Sequence, residues 1–166
     1  AINVIACSAY FAMAVPALVA DNRELHVEAR TDYLTNTVMR QHFIALTEQH
    51  LKQAKRYGHP TALLLFDVDK FKQINDQFGH LAGDEVLREL ASLVRSKIRS
   101  SDIFGRFGGD EFMLLLPQTS IENAFSVAEA IRQGIAELTF SEPELTVSCS
   151  FGVARVDECE GFQKAF

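Results

Sequence analysis

The first 20 residues carry no charged side chain, and only Asn3, Ser8, Tyr10 and Pro16 interrupt an otherwise apolar run. About 20 such residues cross the hydrocarbon core of a bilayer. The run is therefore expected to be the end of a transmembrane helix, in preference to a soluble helix packed on a partner. No basic leader or small-residue cleavage site marks a signal peptide. Residues 21 to 31 are charged and helix-compatible, as a connector would be. Thr31 and Asp32 then offer an N-cap for a helix running to Tyr57, with Val38, Phe43, Leu46 and Ala54 as core positions, closed by Gly58, His59 and Pro60.

Residues 61 to 66 form a continuous apolar run, the pattern of a strand buried on both faces, which delivers Asp67 and Asp69 at its C-terminal end. A short helix follows over residues 71 to 78, stopped by Gly79. Asp84 opens a longer helix whose core stripe is Val86, Leu87, Leu90, Leu93, Val94 and Ile98. Residues 103 to 107 and 112 to 116 read as two strands joined by a Gly-Gly-Asp-Glu tip. Ser120 caps a helix with Ile121, Ala124, Phe125, Ala128, Ile131, Ile135 and Leu138 on one face. From Leu145 to Val153 apolar and polar residues alternate, as in a strand with unlike faces.

The element order is helix, strand, helix pair, hairpin, helix, strand. It predicts an α/β (α+β) fold in which helices flank a mixed central sheet. With 166 residues, 48% hydrophobic and 23% charged, the chain holds one sizeable core, assigned to residues 32 to 166. A net charge of −6 repels polyanions, which argues against DNA or RNA as partners but leaves room for a small phosphorylated ligand. Cys7, Cys149 and Cys159 form no CxxC pair and read as reduced, apolar fillers. The histidines have no metal-ligand spacing, and the 13 phenylalanines are expected in the core.

Chemistry concentrates at the hairpin. Gly108 and Gly109 permit a tight turn with positive φ, and the strands hold Asp110 and Glu111 at its tip. Adjacent carboxylates repel, and a divalent cation shared with a third carboxylate, Asp67, relieves that repulsion. Asp67, the Val68 carbonyl, Asp110 and Glu111 are thus candidate ligands for Mg²⁺, with Mn²⁺ able to substitute. Mg²⁺ keeps few protein ligands and favours substrate phosphates, which points to a nucleoside triphosphate. An acidic hairpin tip kept for solubility is the plain alternative for the tip alone.

The segment from Arg106 to Phe112 spells Arg-Phe-Gly-Gly-Asp-Glu-Phe and resembles the GGDEF family of diguanylate cyclases. The stretch from Phe66 to Asp76, the pairs Gly79-His80 and Gly83-Asp84, and Asp32-Tyr33-Leu34-Thr35 upstream follow the family's order and spacing. The resemblance implies a palm-like nucleotide cyclase fold and condensation of two GTP into cyclic di-GMP. It implies that Asp67, Val68, Asp110 and Glu111 bind metal ions, and that Asp110 lies near the attacking ribose hydroxyl. Asn75 and Asp84 would read the guanine edge, where an amide and a carboxylate meet a pattern adenine lacks. Backbone N–H groups at Phe71, with Lys72 adding charge, would cradle phosphates beside Gly108 and Gly109.

Arg99 and Asp102 resemble the family's RxxD inhibitory site for the cyclic di-GMP product, a use that suits a bidentate guanidinium. A helper arginine on the following helix is replaced by Ala130, which implies that product inhibition is weaker or uses another residue. Catalysis would require a homodimer, since each nucleotide attacks the other. The apolar run would anchor the protein in a bacterial inner membrane, with the domain in the cytoplasm.

Asn36 and Met39 stand where the family usually has Gly and Asn. The chain stops at Phe166, before the family's last helix and strand with their triphosphate-binding Lys and Arg. The rival reading is a non-catalytic module that binds GTP or cyclic di-GMP, usually marked by a degraded acidic tip; here Asp110 and Glu111 are intact. A different palm-type cyclase or polymerase shares the carboxylate logic but does not account for Asn75, Asp84 and the RxxD together.

Overall fold

The structure, a computed structural model, describes residues 30–157. The apolar run 1 to 20, the connector up to residue 29, Cys7 and Cys159 lie outside the described residues. Among those that are described, no helix is long and apolar enough to cross a membrane.

The elements in chain order are β1 (Val38–Met39), α1 (Arg40–Tyr57), β2 (Thr61–Val68), α2 (Phe71–Phe78), α3 (His80–Lys97), β3 (Ile103–Arg106), β4 (Glu111–Pro117), α4 (Ile121–Ala136) and β5 (Cys149–Arg155). They build one five-stranded sheet ordered β1-β3-β4-β2-β5. The β1–β3 pair is parallel, and the β3–β4, β4–β2 and β2–β5 pairs are antiparallel. The mixed sheet with flanking helices matches the expectation.

Strand β2 lies inside the sheet, between β4 and β5, and its apolar run is buried on both faces by alternation. Ala62, Leu64 and Phe66 point into a cluster with Val86, Leu90 and Val94 of α3 and Ala124, Ala128 and Ile131 of α4. Leu63 points the other way, with Met113 and Leu115, onto Phe43 and Leu51 of α1. One helix therefore covers one face and three cover the other. Among the described residues Phe43, Phe66, Phe104, Phe112 and Phe151 are buried in the core, and the Phe66 ring stacks on Phe104, Phe112 and Phe151 at centroid distances of 6.1, 5.5 and 5.1 Å.

Three local expectations are corrected. Asp32 does not cap a helix. Its Oδ1 accepts from the Thr35 N–H at 2.9 Å and the Thr35 hydroxyl at 2.6 Å, closing a turn, and α1 starts only at Arg40. Short polar side chains favour such local bonds over helix. Second, α3 begins at His80, so Asp84 sits in its second turn and is no cap. Third, β5 begins at Cys149: Leu145 is buried, but no strand pairs residues 145 to 148. The Ser120 cap is present, its hydroxyl accepting from the Asn123 N–H at 3.4 Å.

Candidate active site

Strands β2 and β4 carry the acidic residues to one end of the sheet. In the antiparallel register Asp67 lies opposite Glu111, one step beyond the Phe66–Phe112 pair. The Val68 N–H donates to the Asp110 carbonyl at 3.3 Å, which ties the hairpin tip to the end of β2. Asp67 and Glu111, 44 residues apart along the chain, are thus neighbours through backbone pairing, together with Val68 and Asp110.

The tip differs from expectation in one respect. Among the described residues the glycines with positive φ are Gly58 and Gly79, not Gly108 or Gly109. Gly108 serves by its size: a Cβ there would lie 2.7 Å from Glu111 Oε2. Its missing side chain leaves room for the carboxylate to fold back over the turn.

Asp67 retains solvent access, yet protein crowding around its carboxyl, and then the negative charges of Asp69, Asp110 and Glu111, raise its pKa. Such repulsion between oxygen donors is the chemistry a hard divalent cation neutralises, so the donor set fits Mg²⁺. In this conformation no three His, Cys, Asp or Glu side chains among the described residues converge to enclose an ion.

Two arginines, given no role from the sequence alone, brace the tip. Arg106 donates from Nε and Nη2 to the Gly109 carbonyl at 3.1 and 2.6 Å, and from Nη1 to Asp32 Oδ1 at 3.1 Å. Arg40, first residue of α1, lies with its guanidinium carbon 4.7 Å from the centre of the Phe107 ring. Burial lowers the Arg40 pKa while the charge of Glu111 raises it, so a cation stands within reach of the acidic tip. The signal for Arg106 was its place two residues before the glycines; its partner Asp32 is 74 residues away.

Beside Asp67 a cavity of about 590 Å³ opens between β2, α2 and the segment before β5, lined by Asp69, Lys70, Gln73, Thr146 and Ser148 among others. Asp69, delivered with Asp67 at the end of the apolar run but given no ligand role, is held there by the Ser148 and Ser150 hydroxyls, which donate to its two oxygens at 2.5 and 2.6 Å. Lys70 takes the left-handed conformation, φ 56°, and turns the chain sharply from β2 into the first turn of α2, where Phe71 and Lys72 stand. A non-glycine residue held there costs about 1–2 kcal/mol. Cys149 is buried nearby, and desolvation followed by the charges of Asp69 and Asp67 keeps it a thiol, as a filler should be.

Asn75 on α2 and Asp84 on α3 flank the helix junction, and the Asn75 amide lies against the backbone of Gly83. Arg99 and Asp102 lie elsewhere, in the loop from α3 to β3. Asp102 Oδ2 accepts from the Arg99 N–H at 2.8 Å, and its own N–H donates back to the Arg99 carbonyl at 3.1 Å. Arg99 also lines a cavity of about 250 Å³ with His50, Gln53, His59 and Gln118.

The chain belongs to the GGDEF domain family: the family model described as "Diguanylate cyclase, GGDEF domain" matches residues 29–165. It is similar to diguanylate cyclase DgcM of Escherichia coli K12, 42% identical over 148 residues, which are 86% of this chain and 35% of that protein. It is likewise similar to diguanylate cyclase DgcP of Pseudomonas aeruginosa, 39% identical over 84% of this chain and 21% of that one. The chain therefore spans about a third and a fifth of these relatives. Among solved structures, the GGDEF domain of YfiN (TpbB) from Pseudomonas aeruginosa superposes with a TM-score of 0.74 at 34% identity, covering 81% of this chain and 80% of that one. The GGDEF domain of DgcB from Caulobacter crescentus, solved in complex with c-di-GMP, gives a TM-score of 0.73 at 28% identity over 81% and 79%.

Proposed function

We propose that this domain condenses two GTP molecules into cyclic di-GMP. In each half-reaction a ribose 3′-oxygen bonds to the α-phosphorus of the other nucleotide, the bond to pyrophosphate breaks, and the hydroxyl proton is released. Two half-reactions close the ring and release two pyrophosphates. The observation that carries this reading is the pairing of Asp67 with Glu111 and of Val68 with Asp110, which collects three carboxylates and a carbonyl at one strand end.

Bound at Asp67, the Val68 carbonyl, Asp110 and Glu111, Mg²⁺ would supply charge neutralisation at the phosphates and acidify the attacking hydroxyl. The residues of the chain do the positioning. Rotation of three side chains on a backbone already fixed by the sheet closes the donor set. Asp110 stands where the 3′-hydroxyl would approach. Phe71 and Lys72 at the start of α2 hold the phosphates, with Gly108 and Gly109 leaving space at the tip. Asn75 accepts and donates at the guanine edge, and Asp84 accepts from its N1–H and N2–H₂. The second turn of α3 suits that role, because the carboxylate is not committed to a cap.

Since each domain holds one GTP, two must meet face to face, and the working unit is a homodimer. Arg99 and Asp102 form a separate site at which the product restrains the enzyme. The apolar residues 1 to 20 would anchor such a protein in the bacterial inner membrane, with this domain in the cytoplasm. The test is incubation of the full-length protein with GTP and Mg²⁺, followed by chromatography. Cyclic di-GMP should appear, and Asp110→Ala or Glu111→Ala should reduce it to background without changing the circular dichroism. A wild-type dimer that binds GTP and makes no product would instead establish a binding module.

A further inference from the structure

Gly83 lies in the first half of α3, buried, with φ outside the left-handed range. Its backbone conformation is one alanine adopts readily, and alanine is the better helix former by about 1 kcal/mol. Conformation therefore gives no reason for glycine at this position, and the reason must be space.

A Cβ added at Gly83 would fall 2.0 Å from Asn75 Oδ1, 3.0 Å from Asn75 Cγ and 3.2 Å from Phe71 Cζ. The first distance is far inside van der Waals contact, and the other two ask the Asn75 side chain and the Phe71 ring to yield by a few tenths of an ångström. Asn75 thus packs its amide into the notch left by the absent side chain, one residue before Asp84. We infer that Gly83 is a positioning residue for nucleotide selection: its missing Cβ holds the Asn75 amide at the helix junction beside Asp84, where the pair can read guanine.

The inference rests on the assignment of Asn75 to the guanine edge. It has a distinctive consequence, because the obstructed atoms are the end of a flexible side chain. A methyl group at residue 83 displaces the amide to another rotamer while the helices keep their packing, so recognition is lost and the fold is kept.

The experiment compares Gly83→Ala, Asn75→Ala and the double variant in the full chain. GTP and ATP are titrated calorimetrically in Mg²⁺ buffer, and melting is followed by circular dichroism. Gly83→Ala should melt at or above the wild-type temperature, bind GTP roughly fivefold to tenfold more weakly, and bind ATP unchanged. In the Asn75→Ala background the same change should cost nothing further. Wild-type GTP preference in Gly83→Ala, with the preference lost in Asn75→Ala, overturns the inference and leaves the guanine assignment standing. Additive losses in the double variant overturn it too. Wild-type preference in Asn75→Ala removes the guanine assignment, and the inference with it. Should Gly83→Ala fail to fold, a double variant that folds and binds GTP as Asn75→Ala does upholds the inference. A double variant that also fails to fold assigns the glycine to Phe71 packing and refutes it.

Discussion

Arg106 divides its guanidinium between the Gly109 carbonyl and the Asp32 carboxylate, with both ends of the ion pair largely buried. Burial opposes ionisation of Asp32, but the Thr35 hydroxyl and N–H and the Arg106 charge outweigh it, so its pKa lies below the ordinary 3.8. A carboxylate with a lowered folded pKa contributes stability that is complete above its unfolded value, near 3.8, and is lost as pH falls below that toward the folded value. Asp32→Asn should cost about 2 kcal/mol at neutral pH. It should also slow turnover, because the tip loses its brace. Melting temperatures of variant and wild type should converge as pH drops below 3.8; a constant gap would show that charge is not the cause. The acidic tip was legible in the sequence because its residues are consecutive and Asp67 ends an apolar run. Asp32, Arg40 and Gly83 were given no role at the site, since the groups they meet lie in other segments of the chain.

Among the elements, the entry to α1 departs most from its sequence pattern. The stretch 32 to 37 is a turn, reinforced by Arg95, which donates to the Thr35 and Asn36 carbonyls at 2.7 and 3.1 Å. The family's usual glycine is Asn36 here, and its φ of 54° explains both: the position is left-handed, which asparagine tolerates better than most residues. Met39 holds the N-cap position of α1 and makes no side-chain cap hydrogen bond. The family's usual Asn would accept from the first free N–H groups. Met39→Asn should therefore stabilise the domain by about 1 kcal/mol, raising its melting temperature by several degrees; an unchanged melt would show that the cap is already satisfied by water. The C-terminal ends of α1, at Gly58, and of α2, at Gly79, were legible because glycine marks them. The start of β5 was not, because alternation survives in residues 145 to 148 without a partner strand.

For the whole molecule, the two cavities lie at different places. One adjoins Asp67, and the other gathers Arg99 with α1 and the β4–α4 turn. If product restrains the enzyme at the second, Arg99→Ala should leave the initial rate unchanged and raise the cyclic di-GMP concentration needed for half-inhibition about tenfold or more. Progress curves that slow as in the wild type would remove Arg99 from that role. The covering of the sheet was partly legible: a continuous apolar run foretold a strand buried on both faces, and helix periodicities foretold which residues face it. What the sequence could not allocate is that α1 alone covers one face while α2, α3 and α4 share the other.

By itself, then, the sequence determined the element types, the family and the acidic tip, all of which depend on residues close together along the chain. That Asp67 joins the tip was also read from the sequence; only the tertiary structure decided the register that sets it opposite Glu111, and which other distant groups meet: Arg106 against Asp32 through the β1–β3 side of the sheet, and Asn75 against the bare backbone of Gly83. Periodicity encodes which face of an element is apolar, but not which element it will meet, because many partners could bury the same face equally well. That choice is made by packing and register over the whole core.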